Sequence, residues 1–313
     1  MRIIRDIDFV DPSDRGASAA IGNFDGVHIG HQSVLDIARA AGAKIGAPLG
    51  VMTFEPHPRE FFAPDAPPFR LMNAEAKANR MEKLGVQRLY EVAFNAGLAG
   101  LSAEEFARDV ISDSLGLKHV VVGSDFCFGK GRTGNSNTLK EFGAAFGFGV
   151  TIVEIIEGAT GRVSSTNIRN ALSDGRPGDA AEMLGHWHRI EGEVIRGFQR
   201  GRELGFPTAN MSINGLHPPK FGVYAVKVEV LSGPQKGTYN GAASIGVRPM
   251  FDGDEPNIES FLFDFSGDLY GAHLSVALVD YLRPELKFDG LPELIAQMEK
   301  DCAEARKILA TYD

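Results

Sequence analysis

The feature that most constrains the fold is a change of hydrophobic period near residue 185. Before this point, short apolar runs alternate with segments in which apolar residues recur every three or four positions, the spacing of amphipathic helices. The apolar runs are 17–21, 50–54, 88–93, 119–123 and 150–155. Strands that alternate with helices are typical of a doubly wound, Rossmann-like α/β domain with a parallel sheet. We expect such a domain over residues 1–184.

Beyond residue 185 the apolar residues follow a period of two, which is typical of strands with one buried face. The runs are 190–195, 224–231, 242–247, 258–265 and 274–282, separated by glycine or proline. Strands without intervening helices predict a small antiparallel β-barrel. The final segment, 292–309, has helical spacing and is expected to lie against that barrel. We therefore expect a second domain over residues 185–313.

Composition excludes several classes of function. A net charge of -9 argues against a broad nucleic-acid surface, which needs clustered Lys and Arg. Cys127 and Cys302 lie far apart in the sequence and are interpreted as reduced thiols. No apolar run approaches the roughly 18 residues that span a bilayer, and the first residues lack the apolar core of a signal peptide. We expect a cytoplasmic protein with no membrane partner, and the sequence leaves a homo-oligomer open.

The stretch 22–31, Gly-Asn-Phe-Asp-Gly-Val-His-Ile-Gly-His, joins an apolar run to a predicted helix. It places His28 and His31 at the first turn, where unpaired N–H groups and the helix dipole favour an anion. We expect a nucleotide phosphate there. A metal-binding pair is the alternative, disfavoured because no cysteine or third histidine is close enough in sequence to complete a zinc site. The sequence His28-Ile-Gly-His31 resembles the HIGH signature of nucleotidyltransferases and class I aminoacyl-tRNA synthetases.

Three other loops follow predicted strands and are therefore candidates for the same site. They are 54–58, 125–134 and 162–169. The second contains Gly129-Lys-Gly-Arg-Thr-Gly134, which fits G-x-G-x-x-G, but five residues separate it from the strand, which disfavours a dinucleotide fold. We expect a mobile loop in which Arg132 reaches a phosphate, with a plain surface loop as the alternative.

Hydroxyls at the start of the short helix near residue 168 have two interpretations. Ser164, Ser165 and Thr166 could serve only as N-caps. With Arg162 and Arg169 beside them, they could also bind a triphosphate and stabilise departing pyrophosphate.

Four motifs of the first half resemble those of the prokaryotic bifunctional riboflavin kinase/FMN adenylyltransferase (FAD synthetase) family. They are 22–32, 54–58, 122–129 and 164–169, in the family's order. The resemblance implies that the α/β domain is a HIGH-superfamily FMN adenylyltransferase. On this basis we predict catalytic roles for His28, His31, Arg162, Ser164, Ser165 and Thr166. We predict nucleotide or flavin binding by Asn23, Phe24, Asp25, Gly26, His57, Asp125, Arg132 and Arg169.

The chain departs from the family pattern at three positions of this half. Ile29 and Cys127 stand where a basic residue is common, and Asn167 replaces an arginine of the Ser-Ser-Thr-Arg-Ile-Arg pattern. Each change removes positive charge near the expected phosphates. We expect weaker phosphate binding from these changes but no effect on the fold.

In the second half, the segment 197–210 carries glycines every four residues and then Pro207-Thr-Ala-Asn210. It is not a Walker loop, because no Gly-Lys-Ser/Thr follows at the required spacing. Thr208 and Asn210 offer neutral oxygens two residues apart, which suits a Mg2+ ion shared with ATP phosphates. Pro-Thr-Ala-Asn resembles the flavokinase hallmark, although Ser244 and Met250 replace the commoner Asn and Thr. We predict substrate binding by Gly197, Gly201, Arg202, Gly205 and Pro207.

A carboxylate lies within an aromatic strand pattern at 258–265. Alternation places Glu259 on one face with Phe261, Phe263 and Phe265. Burial would raise the pKa of a carboxyl group, which suits a general base. The alternative is a glutamate near the strand end that extends into solvent.

These features predict a transferase with two consecutive activities. The resemblance implies that the C-terminal domain phosphorylates riboflavin to FMN with ATP and Mg2+. It implies that the N-terminal domain joins FMN to a second ATP, giving FAD and pyrophosphate. Riboflavin, FMN and FAD are thus substrates and products. The alternatives are a riboflavin kinase whose degenerate first half is a flavin- or nucleotide-binding module, and a different nucleotidyltransferase of the superfamily.

Overall fold

A computed structural model describes residues 1–154, 157–158, 161–196, 205–250 and 253–312. Of residues 157–158, 161–162, 248–250 and 253–254 only the backbone is described. The chain divides into two compact units. Unit 1 comprises Met1–Ala66 and Lys77–Val163, and unit 2 comprises Pro67–Ala76 and Ser164–Asp313. A functional boundary at residue 184 stays a prediction.

The described residues of unit 1 form a parallel sheet and two short antiparallel strand pairs. Its strands are β1 (Arg2–Ile4), β2 (Ser18–Ile21), β3 (Leu49–Glu55), β4 (Arg88–Ala93), β5 (His119–Gly123), β6 (Cys127–Phe128), β7 (Gly134–Asn135), β8 (Gly149–Val153), β9 (Glu157–Gly158) and β10 (Gly161–Arg162). Its helices are α1 (Ile29–Ile45), α2 (Pro58–Phe62), α3 (Ala74–Lys83, whose first residues belong to unit 2), α4 (Ala96–Gly100), α5 (Ala103–Glu105, continued by a π-helical segment, Phe106–Ser114) and α6 (Ser136–Phe146).

The strand order of the main sheet is β1-β4-β3-β2-β5-β8, and every neighbouring pair is parallel. The order changes direction between β2 and β5, because the chain first adds β3 and β4 on one side of β2 and then β5 and β8 on the other. Residues such as Val51, Leu89 and Val121 are fully or almost fully buried, as expected for a sheet covered on both faces. The predicted doubly wound α/β fold is confirmed.

The described residues of unit 2 form an antiparallel barrel and three helices, besides the first residues of α3. The strands are β11 (Arg189–Glu193), β12 (Ala209–Ser212), β13 (Gly222–Val230), β14 (Gly237–Met250), β15 (Gly253–Leu262) and β16 (His273–Arg283). The helices are α7 (Ser165–Ser173), α8 (Pro177–Leu184) and α9 (Leu291–Leu309). The strand order is β11-β16-β13-β14-β15-β12, and a bridge between Ile195 and Asn210 links the two outer members of the sheet. The predicted small barrel is confirmed.

The barrel has an apolar interior, and a helix covers part of its outer face. Val226, Ile245 and Ile258 are among the interior side chains and have no exposed surface. Outside, Ala305 and Leu309 of α9 pack in a separate buried cluster that includes Phe263. The predicted C-terminal helix against the barrel is therefore confirmed. Among the helices that the structure describes in both units, none is long and apolar enough to cross a membrane.

One detail of the expected strand 258–265 is wrong. The strand ends at Leu262, and Asp264 adopts a left-handed conformation with φ of 55°. This turn places the ring of Phe265 against Tyr239, with centroids 5.0 Å apart, whereas Phe261 and Phe263 pack with the cluster beside α9. Glu259 therefore shares its face with Phe261 but not with Phe265.

Two candidate active sites

The first site begins with an unusual backbone between β2 and α1. Phe24, Gly26 and Val27 all have positive φ, at 52°, 85° and 45°. Such values are uncommon for Phe and a clear departure for a β-branched Val, so the surrounding structure must hold them. Packing supplies this support, since Phe24 is 2% exposed and Val27 is fully buried. The loop is therefore a fixed frame for the side chains that follow it.

The two histidines lie at the N-terminus of α1, as predicted. His28 is the N-cap, and its Nδ1 accepts a hydrogen bond of 3.2 Å from the backbone N–H of His31. A neutral His28 must then carry its proton on Nε2. The His31 ring stacks on the His28 ring with centroids 3.6 Å apart and an interplanar angle of 14°. Both rings therefore belong to one rigid pair.

Burial determines the charge of this pair. It lowers the pKa of His28 from 6.5 to about 4. The pKa of His31 is lowered well below its ordinary value by burial first, and then by the positive charges of His28 and Lys77. Both imidazoles are neutral at pH 7, so they would act on a phosphate as N–H donors and not as cations. The positive electrostatic contribution here comes from the N-terminus of α1, a helix of 17 residues.

The parallel sheet places the predicted loop 125–134 at the same sheet edge as the His28 loop. β2 pairs with β5, and Asp125 follows the end of β5 as the His28 loop follows the end of β2. This is the point where the strand order reverses, which is where open α/β sheets bind ligands. Asp25 of the first loop is 6% exposed. Asn23 is exposed, so its side chain can meet a ligand from outside.

The glycines of the G-x-G-x-x-G segment have a packing role. Gly129 has φ of 73°, and a Cβ atom there would lie 2.6 Å from the backbone nitrogen of Ala103. A Cβ on Gly134 would lie 2.8 Å from the Cβ of Ala103. Both glycines thus allow the loop to pack closely on the start of α5. Arg132 is exposed in the turn between them, and its contact with phosphate stays a prediction.

His57 has a structural role that the sequence did not suggest. It is the N-cap of α2, and its Nδ1 accepts a 3.0 Å hydrogen bond from the N–H of Arg59. Glu60 accepts a 3.0 Å bond from the N–H of His57, which completes a capping box. Nucleotide or flavin binding by His57 stays a prediction.

An aromatic surface that was not predicted from the sequence lies at the end of α2, the helix that His57 caps. Phe62, at the end of α2, is 68% exposed. Its ring lies edge-on to Phe61 and Phe94, with centroids 5.2 and 5.7 Å away. The available signal was the pair Phe61-Phe62, two residues after Pro-His-Pro, because adjacent exposed apolar rings form a patch of the kind that marks ligand-binding surfaces.

The hydroxyls near residue 165 are placed as expected for caps. Ser164 is the N-cap of α7, and its Oγ accepts a 3.2 Å bond from the N–H of Asn167. Ser165 and Thr166 form the first turn. Ser164 begins unit 2, so it does not share a compact unit with His28. The side chain of Arg162 lies outside the described residues, and its catalytic role stays a prediction.

Arg169 makes contacts within unit 2. Its Nε donates to the carbonyl oxygen of Phe69 at 2.5 Å, and its guanidinium lies 5.4 Å from the centre of the Phe69 ring. The carbonyl of Arg169 lies 3.1 Å from Nε2 of His217. These contacts anchor the segment 67–76, and phosphate binding by Arg169 stays a prediction.

The second site lies on the barrel of unit 2. Asn210 on β12 pairs directly with Glu259 on β15, and Glu259 pairs on its other side with Ser244 on β14. Residues opposite each other in a sheet point to the same face. The interior side chains of these strands are Met211 and Ile258, so Asn210, Glu259 and Ser244 form a row on the outer face.

Thr208 completes this group. The amide nitrogen of Asn210 lies 3.4 Å from the carbonyl oxygen of Thr208 and 3.5 Å from its Oγ1. Thr208, Asn210 and Glu259 therefore lie on adjoining chain segments, and hydroxyl, amide and carboxylate oxygens are the hard ligands that Mg2+ prefers. The donor set fits the predicted ion.

A cavity of about 320 Å³ opens beside Thr208 and Asn210. This volume lies at the lower end of the range for small-molecule sites. The lining also includes Pro207, Phe265 and Tyr270. Gly205, two residues before Pro207, has φ of 84°, a conformation that favours glycine. Three further predicted binding residues, Gly197, Gly201 and Arg202, lie outside the described residues.

Comparisons with known proteins agree with this arrangement. The family model of FAD synthetase matches residues 10–167, and that of riboflavin kinase matches residues 184–309. A bifunctional riboflavin kinase/FMN adenylyltransferase of Pseudomonas fluorescens is 40% identical over 99% of this chain and 98% of its own length. The enzyme of the same description from Bacillus subtilis is 41% identical over 91% of this chain and 90% of its own length.

The chain belongs to the bifunctional riboflavin kinase/FMN adenylyltransferase family. It is therefore a transferase with both an FAD synthetase and a riboflavin kinase domain, as predicted. These matches support the bifunctional interpretation over a kinase with a degenerate first half. Among solved structures, a macrolide-efflux protein from Streptococcus pneumoniae shares the fold, with a TM-score of 0.79, 33% identity and 96% of each chain covered.

Proposed function

We propose that the two sites carry out consecutive transfers from two ATP molecules. The barrel of unit 2 phosphorylates riboflavin to FMN, and the site at the start of α1 converts FMN to FAD with release of pyrophosphate. One observation supports this proposal: the central residues predicted for the two reactions form two groups in different compact units. The His28–His31 pair lies at the sheet edge of unit 1, and Thr208, Asn210 and Glu259 lie together in unit 2.

In the kinase reaction, Glu259 accepts a proton. The terminal ribityl hydroxyl of riboflavin attacks the γ-phosphorus of ATP and must lose its proton as the new bond forms. Glu259 is partly exposed on the outer face, with Asn210 and Ser244 on either side. This position allows its carboxylate to face a substrate while neutral polar groups flank it.

The hydroxyl of Thr208 and the amide oxygen of Asn210 would hold Mg2+ beside the ATP phosphates. When bound, the ion neutralises phosphate charge that would otherwise repel the nucleophile. Pro207 and the cavity beside it position the substrates. The amide nitrogen of Asn210 lies 3.5 Å from the Thr208 hydroxyl, so the two side chains that would supply the ligands are neighbours.

In the adenylylation reaction, a phosphate oxygen of FMN attacks the α-phosphorus of ATP, and the bond to pyrophosphate breaks. No general base is required, because the attacking phosphate is already an anion at neutral pH. The neutral imidazoles of His28 and His31 donate hydrogen bonds to the phosphate oxygens, where negative charge increases in the transition state. Ser164, Ser165, Thr166 and Arg162 are proposed to stabilise the departing pyrophosphate.

The exposed ring of Phe62 provides a surface for the flavin of FMN. An isoalloxazine is flat and aromatic, so it gains by contact with an aromatic ring. Phe61 and Phe94 hold Phe62 from the side, which leaves one of its faces for a ligand.

We also propose the kind of partner and the cellular location of the protein. The net charge of -9 supports small-molecule partners over nucleic acid. The free thiols of Cys127 and Cys302 support a reducing, cytoplasmic location.

A flavin product assay tests the proposed function. The purified chain is incubated with riboflavin, ATP and Mg2+, and the flavins are separated by chromatography. We expect FMN first and FAD later. FMN alone would support the degenerate first half, and the absence of both products would remove the proposal.

A further inference from the structure

A buried lysine beside the first site has no place in the mechanism above. Lys77 on α3 is 2% exposed, although lysine is almost never fully buried without a partner. Its Nζ lies 2.7 Å from Oε1 of Glu55, at the end of β3, and 3.1 Å from Oγ1 of Thr53 on the same strand. It also lies 3.4 Å from the carbonyl oxygen of Asn23. Three segments of unit 1 therefore meet at one ammonium group.

These contacts account for the three protons of the ammonium group. A lysine has three donors and no acceptor, and three oxygens surround Nζ here. Lys77 thus donates its hydrogen bonds to protein oxygens. This arrangement is typical of a group that holds other residues in place.

The Asn23 carbonyl is the partner that links Lys77 to the loop of His28 and His31. It is the last carbonyl before Phe24, whose φ of 52° turns the chain into the strained loop that leads to His28. The Asn23 oxygen also lies 3.3 Å from Oγ1 of Thr53. Lys77 and Thr53 therefore hold this carbonyl from the protein side, where the unusual backbone needs support.

We propose that Lys77 is a positioning residue for adenylyl transfer: its ammonium fixes the Asn23 carbonyl and thereby the loop that carries His28 and His31. The inference rests on the proposed function. Its charge has a second effect, because the ammonium contacts the loop of His28 and His31 through Asn23 and opposes protonation of the His31 ring. Lys77 and, when it carries a proton, His28 oppose protonation of His31, so Lys77 helps to keep the pair neutral.

The test compares two lysine variants of the full-length protein. Lys77→Met removes the buried ammonium, and Lys83→Met removes an exposed lysine from the same helix. FAD formation from supplied FMN and ATP is measured, with FMN formation from riboflavin as the internal control. We expect Lys77→Met to lower kcat/KM for FAD formation by roughly 10- to 100-fold, the cost of a small misplacement of reacting groups. We expect Lys83→Met to leave both rates unchanged.

An NMR titration separates positioning from a loss of fold. In Lys77→Met the pKa of the His31 imidazole should rise, because the opposing cation is gone, whereas Lys83→Met should not move it. Thr53→Val, nearly the same size, is the second variant and decides the question if Lys77→Met does not fold. It removes one hydrogen bond to Asn23 and should lower FAD formation by about 3- to 10-fold.

Wild-type FAD formation in a folded Lys77→Met protein, or in Thr53→Val if Lys77→Met does not fold, would overturn the positioning role. An unchanged pKa of His31 in Lys77→Met would overturn the electrostatic part. A wild-type chain that makes no FAD at all would instead remove the proposed function, so the two failures are distinguishable.

Discussion

The proposed adenylyl-transfer site in unit 1 and the proposed kinase site in unit 2 handle the same nucleotide with different kinds of residues. The first site uses neutral imidazoles on a helix N-terminus, with His28 8% exposed and His31 half-buried. The second uses a carboxylate, a hydroxyl and an amide on the outer face of a barrel, all partly exposed.

The nucleophile explains this difference. The phosphate of FMN is already an anion, so the first site needs donors that stabilise charge and no proton acceptor. The hydroxyl of riboflavin is neutral, so the second site needs a base, and a carboxylate with access to substrate supplies it. Two sites that use ATP can therefore rely on different central groups, imidazoles in the first and a carboxylate in the second.

The largest effect is expected from Glu259→Gln, which removes the base and keeps the shape. FMN formation should fall by about 10²- to 10⁴-fold, the contribution of a positioned general base. FAD formation from supplied FMN should be unchanged. Loss of both activities in folded protein would contradict the separation of the two sites.

His28→Ala makes the opposite change. It removes a donor to the developing phosphate charge and the N-cap of α1. FAD formation should fall by roughly 10²- to 10³-fold, while FMN formation from riboflavin stays at the wild-type rate. The two rates are measured separately by chromatography, and an equal fall in both would show that one site serves both reactions.

Asn210→Ala tests the metal ligands of the barrel. The Mg2+ concentration for half-maximal FMN formation should rise about 10-fold, and the Mg2+ dependence of FAD formation should not change. Ser212→Ala, on the same strand face two residues away, is the matched control. If the control shifts the Mg2+ requirement as much as Asn210→Ala, the ligand assignment is wrong.

Phe62→Ala tests the flavin surface of the first site. The KM for FMN in FAD formation should rise roughly 3- to 10-fold, because one aromatic contact is lost. Phe9→Ala, in the same unit and 87% exposed, should have no effect. An unchanged KM for FMN in Phe62→Ala would place the flavin elsewhere.

The smallest effect concerns the pH dependence of His28. Burial lowers its folded-state pKa to about 4, so the ring stays neutral as pH falls from 8 to about 5 and gains a proton only below that. The unfolded chain binds this proton near pH 6.5, so the contribution to stability is complete at neutral pH and declines as pH falls from about 6.5 towards 4. NMR titration of the imidazole measures the pKa, and a midpoint near 6.5 would contradict the buried, neutral pair.

Most of the architecture could be predicted from the sequence because both folds have strong periodic patterns. The apolar run at 119–123 became β5, and the amphipathic segment 292–309 became α9. β1 was missed because a three-residue edge strand has too little pattern. Helix α6 was not predicted, because its N-cap, Asn135, directly follows a glycine motif that is typical of a loop.

Candidate site residues that lie in short characteristic sequences were easier to find than a residue whose contacts are all tertiary. His28 and Thr208 lie in short characteristic sequences. Lys77 was missed because a lysine in a helix with many charges looks like a solvent-exposed residue, and only the fold brings it to Glu55 and Asn23. Phe265 was placed on the wrong face because period two does not predict the left-handed turn at Asp264.

The most direct test of the central claim is the number of nucleotides bound by one chain. Titration calorimetry of the full-length protein with a non-hydrolysable ATP analogue, Mg2+ and saturating flavin should give two equivalents per chain. Glu259→Gln should still bind two, because it removes a base and not a phosphate contact. A stoichiometry of one in fully folded protein would contradict the account.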